Sequence, residues 1–320
     1  MTDAQTISVA LCTYNGERFL ARQLQSIQQQ TRLPDELVIC DDCSTDGTVS
    51  ILRDFAQSAS FPVRVFENQR NLVFVANFEQ AISLCAGDLI ALSDQDDLWY
   101  PIRLERSEQV FQAHPQVGMV FSDGDIIDDQ DQPAGTRLWA SFGFAGERKQ
   151  QMLAGDYTVL AGKRFVTGAT MMFRSRLRPH CLPVGSGWLH DEWIASTAAA
   201  VADMWPIEEP LIRYRKHASQ QVGVTPRLSR REQTKKHWGE LVRQTGLLQE
   251  ICARLSALPL TERGHALLAC YRAHLKFVRY RHDLPRRRLA RLGPMLKQHA
   301  AYSKCASGVL SMATDFFLSK

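Results

Sequence analysis

No stretch of this 320-residue chain reaches the roughly 18 uninterrupted apolar residues of a membrane-spanning helix, and the best run, near the C-terminus, is broken by Ser, Thr and Asp. The opening Met-Thr-Asp-Ala-Gln-Thr lacks both the basic stretch and the apolar core of a secretory signal, which sets the expectation of a cytoplasmic protein. Internal repeats and low-complexity tracts are absent. So is a disulfide framework: the 8 cysteines are scattered, with Cys12, Cys85 and Cys270 inside apolar runs, the pattern of buried reduced thiols. Cys40-Asp41-Asp42-Cys43 has C-x-x-C spacing, but no second pair completes a zinc site, and two intervening carboxylates disfavour a thiolate. With 45% hydrophobic and 22% charged residues, the composition excludes wholesale disorder and a collagen-like chain.

What the chain has is an asymmetry of charge. Residues 1–212 carry 28 acidic against 16 basic side chains, whereas residues 213–320 carry 6 against 22. The first part is suited to holding cations and the second to facing something anionic.

Over the first 220 or so residues, short β-branched runs alternate with amphipathic segments. Strands are predicted at 7–12, 37–40, 63–66, 89–92, 117–121, 169–173 and 211–214, with helices at 17–29, 47–58, 74–86 and 191–203. This rhythm predicts an α/β fold, a mostly parallel sheet with helices on both faces. Ligands of such sheets gather at the carboxyl ends of strands, and the acidic clusters Asp41-Asp42 and Asp94-Gln95-Asp96-Asp97 fall there. Beyond residue 225 strand signals stop, and Leu267, Leu268, Tyr271, Leu275 and Val278 share one face of a helix whose other face is basic. The organisation read from this is 1–224 as a catalytic domain and 225–320 as a basic α-helical region.

Asp94-Gln95-Asp96 is the sharpest chemical signal. Alternate carboxylates at a strand end can share one hard divalent ion, Mg²⁺ or Mn²⁺, which would offset charge on a diphosphate leaving group. Taken alone the triplet also fits a solvated acidic turn. Its context consists of Thr13-Tyr14-Asn15-Gly16, Asp41 to Thr48, and Ala86-Gly87-Asp88 leading into Ser93–Asp97, in that order. Together these resemble family-2 glycosyltransferases of the inverting GT-A type. Ser93 to Pro101, Val166 to Met171, His190 to Trp193 and Tyr214 to His217 extend the resemblance to a rhamnosyltransferase-like branch of bacterial surface polysaccharide synthesis. It covers roughly residues 5–223.

The resemblance implies a GT-A nucleotide-diphospho-sugar transferase fold and assigns roles. Thr13, Tyr14 and Asn15 would line the nucleotide pocket, and Asp42 would accept from a base imide N–H, favouring a dTDP- or UDP-linked donor. Asp94 and Asp96 would hold ribose, metal and diphosphate, with His217 approaching the metal, while Asp97 supports the loop. Asp191 is the implied base for single displacement onto a glycan or lipid-linked acceptor. Glu192 beside it, Trp193 and His190 fall in the acceptor or sugar pocket, His190 either orienting Asp191 or capping the helix. Trp99 either walls the sugar pocket or sits in the core. Arg215 and Lys216 would add charge toward the diphosphate. Relatives place Gly where Cys43 stands, so that loop must take another path or accept strain.

The basic region has three readings: a surface for an anionic membrane that places the enzyme peripherally at the inner face of the plasma membrane, a face packed on the catalytic domain or on a second subunit, or a solvated surface. The oligomeric state is not legible. Two rival functions make different demands on the sequence. A sugar-nucleotide nucleotidyltransferase would carry a Gly-rich basic loop after the first strand, and residues 12–22 hold one Gly. A nucleic-acid-binding role for the basic region would call for a groove-reading motif or interleaved aromatics, and residues 225–300 show neither, so no nucleic acid is expected.

Overall fold

The computed structural model describes residues 5–217, 230–285, 289–298, 300–301, 311–312 and 315–316. In chain order the elements are β1 (Ile7–Thr13), α1 (Glu17–Gln28), β2 (Glu36–Asp41), α2 (Thr48–Ser58), β3 (Val63–Glu67), α3 (Val73–Leu84), β4 (Leu89–Ser93), β5 (Leu98–Trp99) and α4 (Arg103–Ala113). These are followed by β6 (Val117–Ile127), β7 (Pro133–Arg137), α5 (Leu138–Ser141), α6 (Gly146–Leu153), β8 (Met171–Arg174), α7 (Arg178–Cys181), α8 (His190–Val201), β9 (Asp203–Arg215), α9 (Arg230–Ser256), α10 (Glu262–His282) and α11 (Leu289–Lys297).

The strands form one sheet in the order β3-β2-β1-β4-β8-β6-β9-β5, with β7 beside β6. β3, β2, β1 and β4 run parallel, but β8 is antiparallel to both β4 and β6, and β5 is antiparallel to β9. β6 and β9 are also parallel, over the longest pairing in the sheet, so the sheet is mostly parallel, with β8, β5 and β7 as its antiparallel members. The expected strand 169–173 begins at Met171, after a 3₁₀ turn over Gly168–Thr170, and the strand ending at Tyr214 starts much earlier, at Asp203.

Alternation along the central strands explains the layers. Ile7, Val9 and Leu11 of β1, Leu37 and Ile39 of β2, and Leu89 and Ala91 of β4 pack with Leu20, Leu24 and Leu104 of α1 and α4. Their neighbours Ala10, Cys12, Val38, Cys40, Ile90 and Leu92 turn to the other face and pack with Phe78 of α3 and Ala195 of α8. Leu267, Leu268, Tyr271 and Val278 of α10 and Ile251 of α9 are buried in that same second cluster, so the apolar face of the basic region packs on the sheet-bearing part of the molecule. The cysteines within the described residues are free.

The α8–α10 joint is tight. Thr261 caps α10 by accepting from the Gly264 N–H at 3.0 Å, while its own N–H donates to the Ala200 carbonyl at 3.0 Å. A Cβ on Gly264 would overlap that same carbonyl oxygen. Because a backbone group cannot swing aside, Gly264→Ala is expected to destabilise the fold by about 1–3 kcal/mol, read as a lowered urea midpoint at unchanged slope. Wild-type stability in this variant would show that the joint is looser than described.

Candidate active site

The carboxyl ends of β1, β2, β4 and β9 and the N-terminus of α8 surround one cleft of about 490 Å³. Thr13, Tyr14, Asn15, Asp42, Asp94, Asp96, His190, Asp191, Glu192 and His217 all line it. Residues up to 204 positions apart in sequence meet here because parallel strands end on the same edge.

The β1 and β2 ends brace each other. Thr13 Oγ1 donates to Asp41 Oδ2 at 2.7 Å, and Ser44 donates to the same carboxylate through its N–H and hydroxyl, so Asp41 is structural. Asn15 (φ 48°) accepts from the Thr45 N–H through Oδ1 at 2.8 Å. Cys43 stands at φ 65°, so the loop takes a left-handed turn and accepts the strain of a side chain there. Asp42 Oδ1 accepts from Asn68 Nδ2 at 2.9 Å and from the Leu72 N–H at 2.7 Å. Asn68 is held in turn by Asn77 and Gln80. This amide relay was not visible in the sequence, since its members lie just past the ends of β2 and β3 and on α3.

At the β4 end, Gln95 links two loops by accepting from the Tyr14 N–H at 2.8 Å and donating to the Tyr14 carbonyl at 3.0 Å. Gly16 leaves the room its side chain needs. Asp96 Oδ2 lies 2.8 Å from His217 Nε2. Burial, Asp96 and Asp191 push the Asp94 carboxyl up, against the pull of Arg103. Burial and its two acidic neighbours likewise push up Asp97, whose Oδ1 accepts from the Arg215 N–H at 2.9 Å. Arg103 is buried with its guanidinium 3.7 Å from the centroid of the Trp99 ring, and burial pulls it down to about 9.

Trp193, expected in the pocket, lies elsewhere, and of its two readings Trp99 takes the core one. Trp99 is in the core under Arg103, and Trp193 is 2% exposed, packed against Gly185 and Trp188 rather than facing the cleft. Arg215 is fully buried as well. Its Nε donates to the Asp96 carbonyl at 2.6 Å, and NH1 donates to the Asp128 carbonyl at 2.8 Å and pairs with Asp131. It therefore anchors the acidic loop from below instead of projecting charge into the cleft.

At the start of α8, Asp191 Oδ1 accepts from the Glu192 N–H at 2.7 Å. His190 stacks on Phe78 at 4.1 Å, and neither ring nitrogen has a hydrogen-bond partner. Burial lowers its basicity, so the ring is neutral at pH 7. Glu192 pairs with Arg164 Nε at 2.5 Å, yet burial, helped by Asp191, raises its carboxyl to about 7.

The acidic cluster suits a divalent cation. Neighbouring carboxylates help to push up Asp94 and Asp97, which an added positive charge would relieve, and Asp96 with His217 supplies an oxygen and a nitrogen donor side by side. Among the described residues no group of three or more His, Cys, Asp or Glu side chains is placed to hold a metal alone. Such a set fits Mg²⁺ or Mn²⁺ bound jointly with substrate oxygens.

Because the folded-state value of Glu192 lies above its unfolded value of 4.5, the favourable contribution is present below pH 4.5 and is lost as pH rises through about 7. Glu192→Gln removes that dependence. The stability of the variant relative to wild type is expected to rise by up to about 3 kcal/mol between pH 4.5 and 8, measured by denaturant titration across that range. Parallel pH profiles would contradict the burial argument.

Comparison with known proteins follows the same lines. The model of glycosyl transferase family 2 matches residues 8–177. EpsE of Bacillus subtilis strain 168, a protein named for glycosyltransferase activity, is 32% identical over 178 residues, 56% of this chain and 60% of its own length. An uncharacterized glycosyltransferase of Nostoc sp. PCC 7120 is 35% identical over 127 residues, 39% of this chain and 38% of its own. The chain thus spans less than two thirds of these relatives. Among solved structures, residues 1–349 of S. aureus TarS in complex with UDP-GlcNAc superpose with a TM-score of 0.59 at 16% identity, covering 88% of this chain and 76% of that one. The Pyrobaculum calidifontis mannosyltransferase PcManGT, in complex with GDP-Man and Mn²⁺, gives 0.53 at 18% identity over 100% and 82%. These two likenesses establish the GT-A-like fold, and the match over residues 8–177 establishes that the chain belongs to glycosyltransferase family 2.

Proposed function

We propose that this protein is an inverting glycosyltransferase that moves a sugar from a nucleoside diphosphate to a glycan or lipid-linked oligosaccharide in surface polysaccharide synthesis. The observation that carries the reading is the convergence of Asp42, Asp94, Asp96, Asp191 and His217 on one cleft. The bound UDP-GlcNAc of the TarS structure and the GDP-Man and Mn²⁺ of PcManGT support a nucleotide sugar and a divalent ion by likeness. For the donor we favour dTDP- or UDP-linked sugars, rhamnose among them, because a carboxylate with one oxygen to spare suits the imide edge of thymine or uracil. Asp42 commits Oδ1 to Asn68 and Leu72 and leaves Oδ2 for that edge.

Asp94 would meet the ribose, with Thr13, Tyr14 and Asn15 around the nucleotide. A divalent cation held by Asp96 and His217, with Asp94 beside them, would neutralise the diphosphate as it leaves. In the displacement, the acceptor hydroxyl oxygen bonds to the anomeric carbon while the bond from that carbon to the diphosphate oxygen breaks, and Asp191 takes the hydroxyl proton. One inversion results. The Asp191 carboxylate keeps Oδ1 on the Glu192 N–H, which fixes its orientation and leaves Oδ2 for the proton. His190 and Glu192 border the space where a hydroxyl-rich ligand would lie. On α10, Arg272, Lys276 and Arg279 are exposed, and we place them toward the anionic leaflet in which lipid-linked acceptors reside. The neighbouring Arg286-Arg287-Arg288 run lies outside the described residues, and Arg291 is buried, donating to the carbonyls of Pro285 and Asp315.

Thermal-shift titration with nucleoside diphosphates, with and without Mn²⁺, tests the donor site. dTDP or UDP is expected to stabilise the wild type in a metal-dependent way, and Asp96→Ala to lose that dependence. Asp191→Asn is expected to keep the nucleotide shift while transfer falls by about 10²–10⁴-fold, the usual worth of a general base. If no nucleotide stabilises the folded protein under any metal condition, the proposal fails.

A further inference from the structure

Behind the Arg164–Glu192 pair lies a second cavity of about 480 Å³, walled by the 160–166 loop, the first turns of α8 and the inner faces of α9 and α10. Arg164, Val166 and Glu192 line both spaces. The second cavity therefore begins one residue beyond Asp191. The loop that forms its edge is pinned to α10: Gly162 takes φ 76°, and a Cβ there would stand 2.5 Å from the His274 ring. A side chain at this position would push the loop off the helix.

The lining chemistry is distinctive. On α9, Glu240 accepts from Arg243 at 2.9 and 2.7 Å and from Gln244 at 3.1 Å, so a carboxylate, a guanidinium and an amide are held in one network. Ser196 and Tyr271 contribute two hydroxyls 2.7 Å apart. Trp188 adds an indole whose N–H already donates to the Leu247 carbonyl at 3.3 Å, so what it offers a ligand is apolar ring. Planar polar groups that can take two hydrogen bonds, beside an aromatic surface, match a pyranose ring with hydroxyls at its rim and C–H groups on its face. The arginines of the wall are each paired with a carboxylate, Arg164 with Glu192, Arg243 with Glu240 and Arg281 with Asp315, so the charge of the lining is largely balanced, which suits a neutral ligand better than a nucleoside diphosphate, and the polar network disfavours a lipid tail. The volume falls within the ~300–1,000 Å³ usual for small-ligand sites.

We infer that this cavity is an acceptor subsite, which holds an inner sugar of an oligosaccharide while the terminal hydroxyl of that oligosaccharide is presented to Asp191. The inference rests on the glycosyltransferase reading above and adds to it that the acceptor carries at least two sugars. It also assigns recognition of the acceptor to α9 and α10 rather than to the matched family segment. Neither helix lies within residues 8–177.

The test is a glycan array of mono- to tetrasaccharides, probed with the full chain in the presence of a stabilising nucleotide, for wild type, Arg243→Ala and Gln244→Ala. Both substitutions fall on a helix face that is at least partly exposed, where truncation is tolerated by the fold. Oligosaccharides of two or more sugars are expected to be retained at least tenfold more tightly than the corresponding monosaccharides, and each substitution is expected to weaken the longer ligands about tenfold. Retention of no oligosaccharide, retention independent of length, or wild-type retention by both variants overturns the subsite. The nucleotide thermal shift on the same samples separates the two readings. A shift without length-dependent glycan retention removes only the subsite, and absence of any shift removes the glycosyltransferase reading on which it rests.

Discussion

Crowding of negative charge at the carboxyl edge of the sheet is the constraint that organises this molecule. Asp94, Asp96 and Asp97 follow one another off β4, and Asp191 is brought to them by α8, so burial and mutual repulsion push the Asp94 and Asp97 carboxyls up. Two buried guanidiniums make the arrangement tolerable. Arg103 lies against Trp99 and donates to the Leu92 carbonyl, and Arg215 joins the Asp96 carbonyl to the 128–131 turn. A buried charge whose partner is removed typically costs about 3–5 kcal/mol, and a lysine at either position would lack the planar fork that makes these several contacts at once.

The same balance separates the supporting groups from the groups left for a ligand. Asp41 and Arg215 are turned onto the protein, whereas Asp42 and Asp191 each spend one carboxylate oxygen and keep the other, and Asp97 is buried with only Oδ1 partnered. His190 is the extreme case, buried against Phe78 with both ring nitrogens unpartnered, and unpartnered buried polar atoms are costly unless a ligand or water satisfies them. Asp96 and His217, 2.8 Å apart, close the acidic edge on the β9 side. The cleft is thus built from groups whose unmet capacity points to a polar, cation-bearing ligand.

How much of this was legible in the sequence follows from the range of each interaction. The ends of β1, β2 and β4 could be read because strand periodicity and acidic punctuation are local signals, and parallel topology then puts those ends on one edge. Gln95, Asn68, Asn77 and Arg103 could not be given their roles, because their partners come from other elements, as in the Gln95–Tyr14 clasp 81 residues apart. Trp99 and Trp193 fell inside motifs yet point into the core, since a motif reports which residues recur and not which way a side chain faces. The antiparallel placement of β8 was equally hidden: a short run of apolar residues has the same period in either direction.

The charge asymmetry has a partly internal explanation. Arg254 on α9 donates to the carbonyls of Pro179, His180 and Leu182, and Arg263 on α10 pairs with Asp203 at the start of β9. Arg281 pairs with Asp315, and Arg291 is fully buried. Arg254 and Arg263 act as struts between the helices and the acidic part of the chain, while Arg281 and Arg291 bond within the helical region, so the net positive charge of residues 213–320 overstates what is available to an external anion. What remains exposed on α10 is narrower, and the inner faces of α9 and α10 are committed to the core and to the second cavity. A helical region docked by its own arginines onto the catalytic fold is suited to shaping what approaches Asp191, because it cannot shift without breaking contacts that also hold β9 and α8 in place.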